Sequence, residues 1–327
     1  MTLAAKPSNY NAAPAEPAPI RLTLPPDSGG LRLDQALANL LPEYSRSRIT
    51  QWIRSGRVAV DGAGAEPKLR VNGGEKVAIA PAAEAATLAA TAESIALAIL
   101  HEDDAILVLN KPAGLVVHPG SGNWHGTMLN ALLAHAPALA AIPRAGIVHR
   151  LDKETSGLLV VGKTLQAQTS LVRQLQARTV KREYLALAHG AIARAGKIDA
   201  PVGRHPTQRT RMAVVERGKP AVTHFEVREA FGRHATLLRC RLETGRTHQI
   251  RVHLLSLGHP LVGDPVYGRA RRSAIDSINA FKRQALHAER LALQHPDSGE
   301  TMAWQAPLPE DFAQLLDALR ADPRVAE

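Results

Sequence analysis

Across residues 81–95 the apolar periodicity of this chain stops, and a run of alanine with proline and glutamate presents no apolar face. A break of that kind forces two separate cores, and 327 residues exceed the usual size of one domain. Residues 1–20, rich in Ala, Pro and Asn, lack periodicity and read as a disordered tail. The expected organisation is therefore a tail, a small unit over 29–80, a linker over 81–95 and a large unit over 96–322.

In the small unit Leu33, Leu37, Leu40 and Leu41 recur at helical spacing until Pro42. Ser45 stands at the N-cap of a second helix carrying Ile49, Trp52 and Ile53, which Gly56 closes. Val58 and Val60 alternate into an Asp61-Gly62 turn, and Val71, Gly73-Gly74, Val77 and Ile79 read as further short strands. The large unit carries strand-like runs at 106–109, 157–161, 184–188, 222–227, 235–242, 250–254 and 290–293, with helical stretches at 127–135 and 165–175. A last helix starts near Pro309 and puts Phe312, Leu315, Leu316 and Leu319 on one face. Strands dominate and helices are scattered, so the expected class is α+β with a mainly antiparallel sheet, not a doubly wound one.

Hydrophobic residues at 45% suffice for a core, yet no apolar run approaches the about 20 residues of a membrane helix, nor is there a secretory leader. A soluble cytoplasmic protein is expected. The single cysteine, Cys240, lies in an apolar-alternating run, where a buried reduced thiol is expected. Lys and Arg number 40 against 30 Asp and Glu, a net charge of +10 that favours a polyanionic partner. Aromatics at 3% argue against recognition mainly by stacking bases on exposed rings.

The densest chemical cluster is Gly146-Ile147-Val148-His149-Arg150-Leu151-Asp152-Lys153-Glu154-Thr155-Ser156-Gly157. Positive neighbours favour the charged form of a carboxylate, and Asp152 stands between Arg150 and Lys153, a candidate nucleophile or base. The bland alternative is a surface turn in which Asp152 caps the Thr155-Ser156-Gly157 bend. A second cluster runs from Glu243 through Arg246-Thr247-His248-Gln249-Ile250-Arg251-Val252-His253 to the Gly263-Asp264-Pro265-Val266-Tyr267-Gly268 segment. Read at period two it is a strand with Arg246, His248 and Ile250 on one face, and Arg246 at its start can hold a carboxylate, Asp152 being the natural partner. A structural arginine in a sheet-edge salt bridge is the alternative.

His248 and His253 have no ligand-like spacing and no cysteine cluster, so no metal is expected. The glycine runs lack both phosphate-binding fingerprints, and no cofactor is implied. Three basic stretches suggest an extended phosphate-tracking face: Arg46, Arg48, Arg54, Arg57, Lys68 and Arg70; then Arg204, Arg209, Arg211, Arg217 and Lys219; then Arg269, Arg271 and Arg272.

Taken in order, these clusters resemble the pseudouridine synthases of the RluA family. The resemblance rests on His149-Arg150-Leu151-Asp152 with Thr155-Ser156-Gly157, on Lys111-Pro112-Ala113-Gly114-Leu115 through His118-Pro119-Gly120, on Lys181-Arg182-Glu183-Tyr184, and on Arg246-Thr247-His248-Gln249-Ile250-Arg251. The small unit resembles an S4 RNA-binding domain, through Arg32-Leu33-Asp34 and Ser45-Arg46-Ser47-Arg48. The likeness covers about residues 29–320. It implies that Asp152 is the catalytic aspartate, Tyr184 the tyrosine against the target base and Arg246 the arginine paired with the aspartate. It further implies that Arg150 fills the gap left by a flipped nucleotide, with Ile250 and His149 also at the substrate, while Arg46, Arg48, Arg54, Arg57, Arg204 and Arg209 meet RNA. The implied enzyme needs no cofactor, acts as a monomer away from membranes, and takes large-subunit ribosomal RNA. Transfer RNA, another ribosomal site, or a silent assembly factor are the competing readings.

Overall fold

The chain was analysed as a computed structural model describing residues 19–41, 44, 46–81, 91–118, 124–208, 210–268 and 271–325. It divides into two compact units, residues 1–87 and 88–327. Residues 1–18 of the expected tail, most of the linker, Pro42, the Ser45 cap, Arg209 and Arg269 lie outside the described residues, while Ile20, expected in the tail, belongs to a strand.

The first unit is a sheet of β1 (Ile20–Thr23), β2 (Val58–Val60), β3 (Ala63–Gly64) and β4 (Lys76–Ile79) with helices α1 (Leu33–Leu40) and α2 (Arg46–Arg54). All its strand pairs are antiparallel, in the order β1-β4-β2-β3. The Asp61-Gly62 turn adopts positive φ at both residues, 49° and 82°, the geometry that two-residue hairpins require. Leu33, Leu37, Ile49, Trp52, Ile53, Val58, Val71, Val77 and Ile79 form the core. The unit begins earlier than residue 29, because Ile20–Thr23 pairs along β4 and covers what would otherwise be an open edge. Asp34, buried at the start of α1, accepts hydrogen bonds from Arg32 at 3.0 Å and from Arg46 at 3.0 and 3.1 Å, tying the two helices together.

The second unit is built on β5 (Ile99–Glu102), β6 (Ile106–Lys111), β7 (Ser156–Gly162), β8 (Lys181–His189), β9 (Gly196–Asp199), β10 (Val202–Arg204), β11 (Met212–Val214), β12 (Val222–Phe231), β13 (Ala235–Leu242), β14 (Leu286–Gln294) and β15 (Thr301–Gln305). Its helices are α3 (Met128–His135), α4 (Leu165–Gln176), α5 (Gln249–Ser256), α6 (Asp276–Ala280) and α7 (Glu310–Ala321). The main sheet runs β5-β6-β7-β14-β8-β13-β12-β9, with β15 on β14 and β10-β11 a separate ribbon. Among the strands of the described residues only β7 and β14 pair in parallel, so the fold is α+β with a mainly antiparallel mixed sheet, as the strand-rich pattern implied. Residues 91–95, read from sequence as linker, dock on α3: Glu93 N–H donates to Asn130 O at 3.0 Å.

Both faces of the central strands are covered, which explains their near-continuous apolar sequence. On β8, Tyr184, Ala186 and Ala188 enter one core with Leu107, Leu159, Ile250 and Leu254, while Leu185 and Leu187 pack on Phe312, Leu315, Leu316 and Leu319 of α7. Cys240 lies in the first of these cores, and burial pushes its thiol up to about 12.

One expected strand is a helix. Residues 250–254 belong to α5, in which every residue from Gln249 to Leu254 is buried. A helix enclosed on all sides carries apolar and polar side chains without a 3.6-residue period, so its short alternation mimics a strand. His248, left-handed at φ 56°, turns the chain into it. The Gln249 side chain locks the entry: its Oε1 accepts from Arg246 N–H at 2.9 Å, and its Nε2 donates to Val222 O at 3.0 Å.

Gly157 marks the join between the Asp152 loop and β7. Its φ is 111°, and a Cβ there would stand 2.3 Å from Ala288 O across the parallel β7–β14 pair. Gly157→Ala is expected to lower unfolding stability by about 2–4 kcal/mol, from a left-handed backbone and a backbone clash together. Denaturant melts would check it, a loss below about 1 kcal/mol meaning that the strands part readily.

Candidate active site

The loop that carries Asp152 is fastened from beneath. Lys111, 1% exposed at the end of β6, donates from Nζ to the carbonyls of Pro112, Leu115 and Lys153 at 2.7, 2.9 and 2.9 Å. Burial, opposed by Glu154 and Asp152, pulls its pKa down to about 7. Arg283 Nη1 donates to Glu154 O at 3.1 Å and Gln284 Nε2 to Thr155 Oγ1 at 3.1 Å, so three buried polar side chains fix the main chain around the carboxylate.

Asp152 itself is 16% exposed and faces a cleft of about 1000 Å³. Arg251 Nη1 donates to its Oδ2 at 2.9 Å, and His248 Nε2 stands 3.8 Å from Oδ1. The same guanidinium clasps Asp264 through Nε and Nη2 at 2.7 and 2.8 Å and lies 5.0 Å from the Tyr267 ring. Asp264 also accepts from the amides of Val266 and Tyr267, and Arg251 holds its carboxyl below the usual range despite burial. The Tyr267 hydroxyl accepts from Met212 N–H at 2.9 Å and bonds His248 Nδ1 at 2.8 Å. One buried arginine thus orients the Asp152 carboxylate while a second, fully enclosed carboxylate orients the arginine.

The expected pairing of Arg246 with Asp152 does not form. Arg246 precedes α5, is exposed at the cleft and donates to Pro220 O at 3.1 Å. Because 249–256 is helical, Arg251, in the first turn of α5, turns inward instead. Sequence reading passed over Arg251, Asp264 and Tyr267, although the Gly263-to-Gly268 run stood out. An aspartate buried among short loops is a signal only once the arginine it holds is known.

The other expected residues divide into cleft and elsewhere. Tyr184 and Ile250 are buried in the cleft wall with Leu286, and Arg150 is exposed at its rim. Burial, opposed by Arg182 and reinforced by Asp152, raises the Tyr184 pKa. His149 also lines the cleft, but its Nε2 accepts the Val160 amide at 3.2 Å, which fixes the ring as a strut for the loop. Of the basic residues, Arg54 and Arg204 are exposed and Arg57 is half-buried. Arg46 is exposed but engaged by Asp34. Arg48, unlike the others of this set, is buried, with its guanidinium 5.5 Å from the Trp52 ring.

Burial and the neighbouring Arg182 pull the His149 pKa down to about 3. The folded state refuses a proton that the unfolded chain accepts below its ordinary value of 6.5. This contribution is therefore complete above pH 6.5 and is lost progressively as pH falls toward about 3. In His149→Asn, stability should fall less steeply between pH 6.5 and 4 than in the parent; chemical denaturation across that window checks it, and parallel profiles would remove His149 as the titrating group.

Among the described residues no helix is long and apolar enough to cross a membrane, and no three His, Cys, Asp or Glu side chains gather as metal ligands. His253 uses both ring nitrogens, on Thr223 Oγ1 and Ala200 O at 2.9 Å each.

Comparison with known proteins adds three findings. The family profile described as RNA pseudouridylate synthase matches residues 105–256, and that of the S4 domain matches 31–77. Ribosomal large subunit pseudouridine synthase D of Nitrosomonas europaea is 57% identical over 95% of this chain and 93% of its own; the protein of that name from Escherichia coli K12 is 52% identical over 90% and 92%. Among solved structures, human RNA Pseudouridylate Synthase Domain Containing 4 aligns with TM-score 0.55 and 27% identity over 68% of this chain and 93% of its own.

Proposed function

The chain belongs to the RNA pseudouridylate synthase family and carries an S4 domain, and from that premise we propose that it converts specific uridines of large-subunit ribosomal RNA to pseudouridine. Asp152 is the catalytic carboxylate of this reading, acting at the ribose of a uridine swung out of its helix. The observation that carries it is the carboxylate held at 2.9 Å by Arg251 on the floor of a cleft that Tyr184 also lines. The cleft of about 1000 Å³ has room for an extruded base, and its lining includes the exposed Arg144, Arg150, Arg178 and Arg246 for the strand's phosphates.

The chemistry asks for no redox group or metal. A positioned carboxylate and the uracil ring, which can leave through N1 and return through C5, supply every bond change. Arg251 and Asp264 fix the carboxylate, Tyr184 packs against the base, Ile250 adds an apolar contact, and Arg150 stands at the rim where an extruded nucleotide leaves its stack. The first unit supplies RNA affinity through Arg46, Arg54 and Arg57, and the protein works as a cytoplasmic monomer. The names of the relatives from Nitrosomonas europaea and Escherichia coli support ribosomal RNA as the substrate. Pseudouridine mapping of ribosomal and transfer RNA from a strain lacking the gene tests this: losses confined to large-subunit RNA are expected, and losses only in transfer RNA would overturn the substrate.

A further inference from the structure

Among the described residues the second unit has three buried arginines, and two of them have carboxylate partners: Arg251 holds Asp152 and Asp264, and Arg283 holds Asp311 at 2.6 Å. The third, Arg182, is 8% exposed and makes no ion pair or hydrogen bond from its side chain among the described residues. Its Nε is sealed from solvent without an acceptor. Arg239 also has a sealed Nε, but Glu183, Glu226 and Glu289 surround it at 3.7, 3.9 and 3.5 Å. Arg182 has no such company. His149 beside it carries no balancing charge, since its ring accepts the Val160 amide.

Position gives this cation a direction. Arg182 precedes Tyr184 by two residues on β8, so both side chains leave the same face of the strand. Both line the cleft with Asp152, and Arg182 lies against Gly245, where a Cβ would come within 2.7 Å of Nη1. An uncompensated guanidinium in low dielectric weakens a fold, and such groups persist where a bound negative charge completes them.

Resting on the reading of this chain as a pseudouridine synthase, we propose that Arg182 is a catalytic residue that binds the carbonyl oxygens of the detached uracil and stabilises its negative charge. When the C1′–N1 bond breaks, its electron pair passes to N1 and spreads onto the ring oxygens, giving a uracil monoanion and an electron-deficient C1′ held beside the Asp152 carboxylate until the uracil C5 supplies the new bonding pair. The anion turns against Tyr184 with its charge on the guanidinium. C5 then bonds to C1′, the C5 proton leaves, and N1 takes up a proton, so the product is an isomer of the substrate. Backbone phosphates are the other anionic source, but they are strongly hydrated and follow the strand outside the cleft, where Arg144, Arg150, Arg178 and Arg246 are exposed. Only the base reaches the floor.

The test uses the full chain with 23S ribosomal RNA transcribed with [5-³H]uridine, and compares the parent with Arg182→Met and Arg182→Lys. Single-turnover tritium release should fall about 100- to 1000-fold in Arg182→Met and less in Arg182→Lys, the size expected for losing one preorganised charge stabiliser. RNA affinity should stay within about twofold, with an unchanged slope of log Kd against log salt. The melting midpoint of Arg182→Met should equal or exceed the parent's, because an unpaired buried charge is gone. A salt slope flatter by about one with the rate retained would assign Arg182 to a phosphate and overturn the proposal. So would a lowered midpoint accompanying the lost rate, which marks a structural arginine, or no change in any readout. Absence of release by the parent overturns the substrate reading, and this inference with it, whereas parent release matched by Arg182→Met overturns the inference alone.

Discussion

Asp152→Asn will stop tritium release from uridine-labelled ribosomal RNA, lowering single-turnover conversion by a factor on the order of 10⁴ or more, while RNA affinity stays within about threefold. Two carboxylates line the cleft, Asp152 and Glu243, and Glu243 is taken up by His224 at 2.7 Å and Arg178 at 2.9 Å. No other carboxylate lining the cleft is placed to replace Asp152. Asparagine keeps the shape and can still accept from Arg251, and Arg251 keeps its bidentate hold on Asp264, so the fold should survive. Removing a negative charge also eases the approach of phosphates. Conversion retained within tenfold would mean that the nucleophile lies elsewhere.

The second large effect falls on Arg251. Its side chain is 4% exposed and that of Asp264 is 0% exposed. Arg251→Met leaves Asp264 as a buried charge without its cation, and stability should fall by about 3–5 kcal/mol, together with turnover. The double variant Arg251→Met/Asp264→Asn removes both charges while the asparagine carbonyl goes on accepting the amides of Val266 and Tyr267. It should regain most of the lost stability and remain inactive, since Asp152 still lacks its anchor. Arg246→Ala, which removes an exposed side chain bonded to Pro220 O, should cost under about 1 kcal/mol and change turnover less than tenfold. A double variant as active as the parent would show that Arg251 only stabilises the fold; an Arg246→Ala loss equal to that of Arg251→Met would return the anchoring role to Arg246.

These variants also distinguish two levels of organisation at the site. Lys111 and Arg283 hold backbone carbonyls of the Asp152 loop and Gln284 holds its Thr155 hydroxyl, whereas Arg251 holds the carboxylate itself. Disturbing the first group shifts the loop that carries Asp152, and disturbing the second leaves its carboxylate free to rotate. Misplacement near 1 Å can cost about 10² in rate, so a well-folded chain with an undamaged Asp152 can still be slow.

Much of this was legible in the residues. The DG hairpin at Asp61-Gly62, the α7 face of Phe312, Leu315, Leu316 and Leu319, and the strands β6, β7, β8, β12, β13 and β14 follow from apolar spacing and turn chemistry, which are local properties; the short strands β9, β10 and β11 carry too few residues to show a period. The order of the motifs pointed to Asp152 and Tyr184 in one cleft because a family's motif order carries its topology. Sequence alone could not decide whether 249–256 coils or extends, since a short segment buried on all sides has no face to betray its period. That single choice moved the arginine on Asp152 from Arg246 to Arg251 and brought Asp264 and Tyr267 behind it. Nor could it reveal that Arg48 is buried against Trp52 and that Arg182 lacks a counter-charge. Local spacing determines which elements form; which charges meet in the interior, and which stay unmet, depends on neighbours brought together from distant parts of the chain, and only tertiary packing sets those distances.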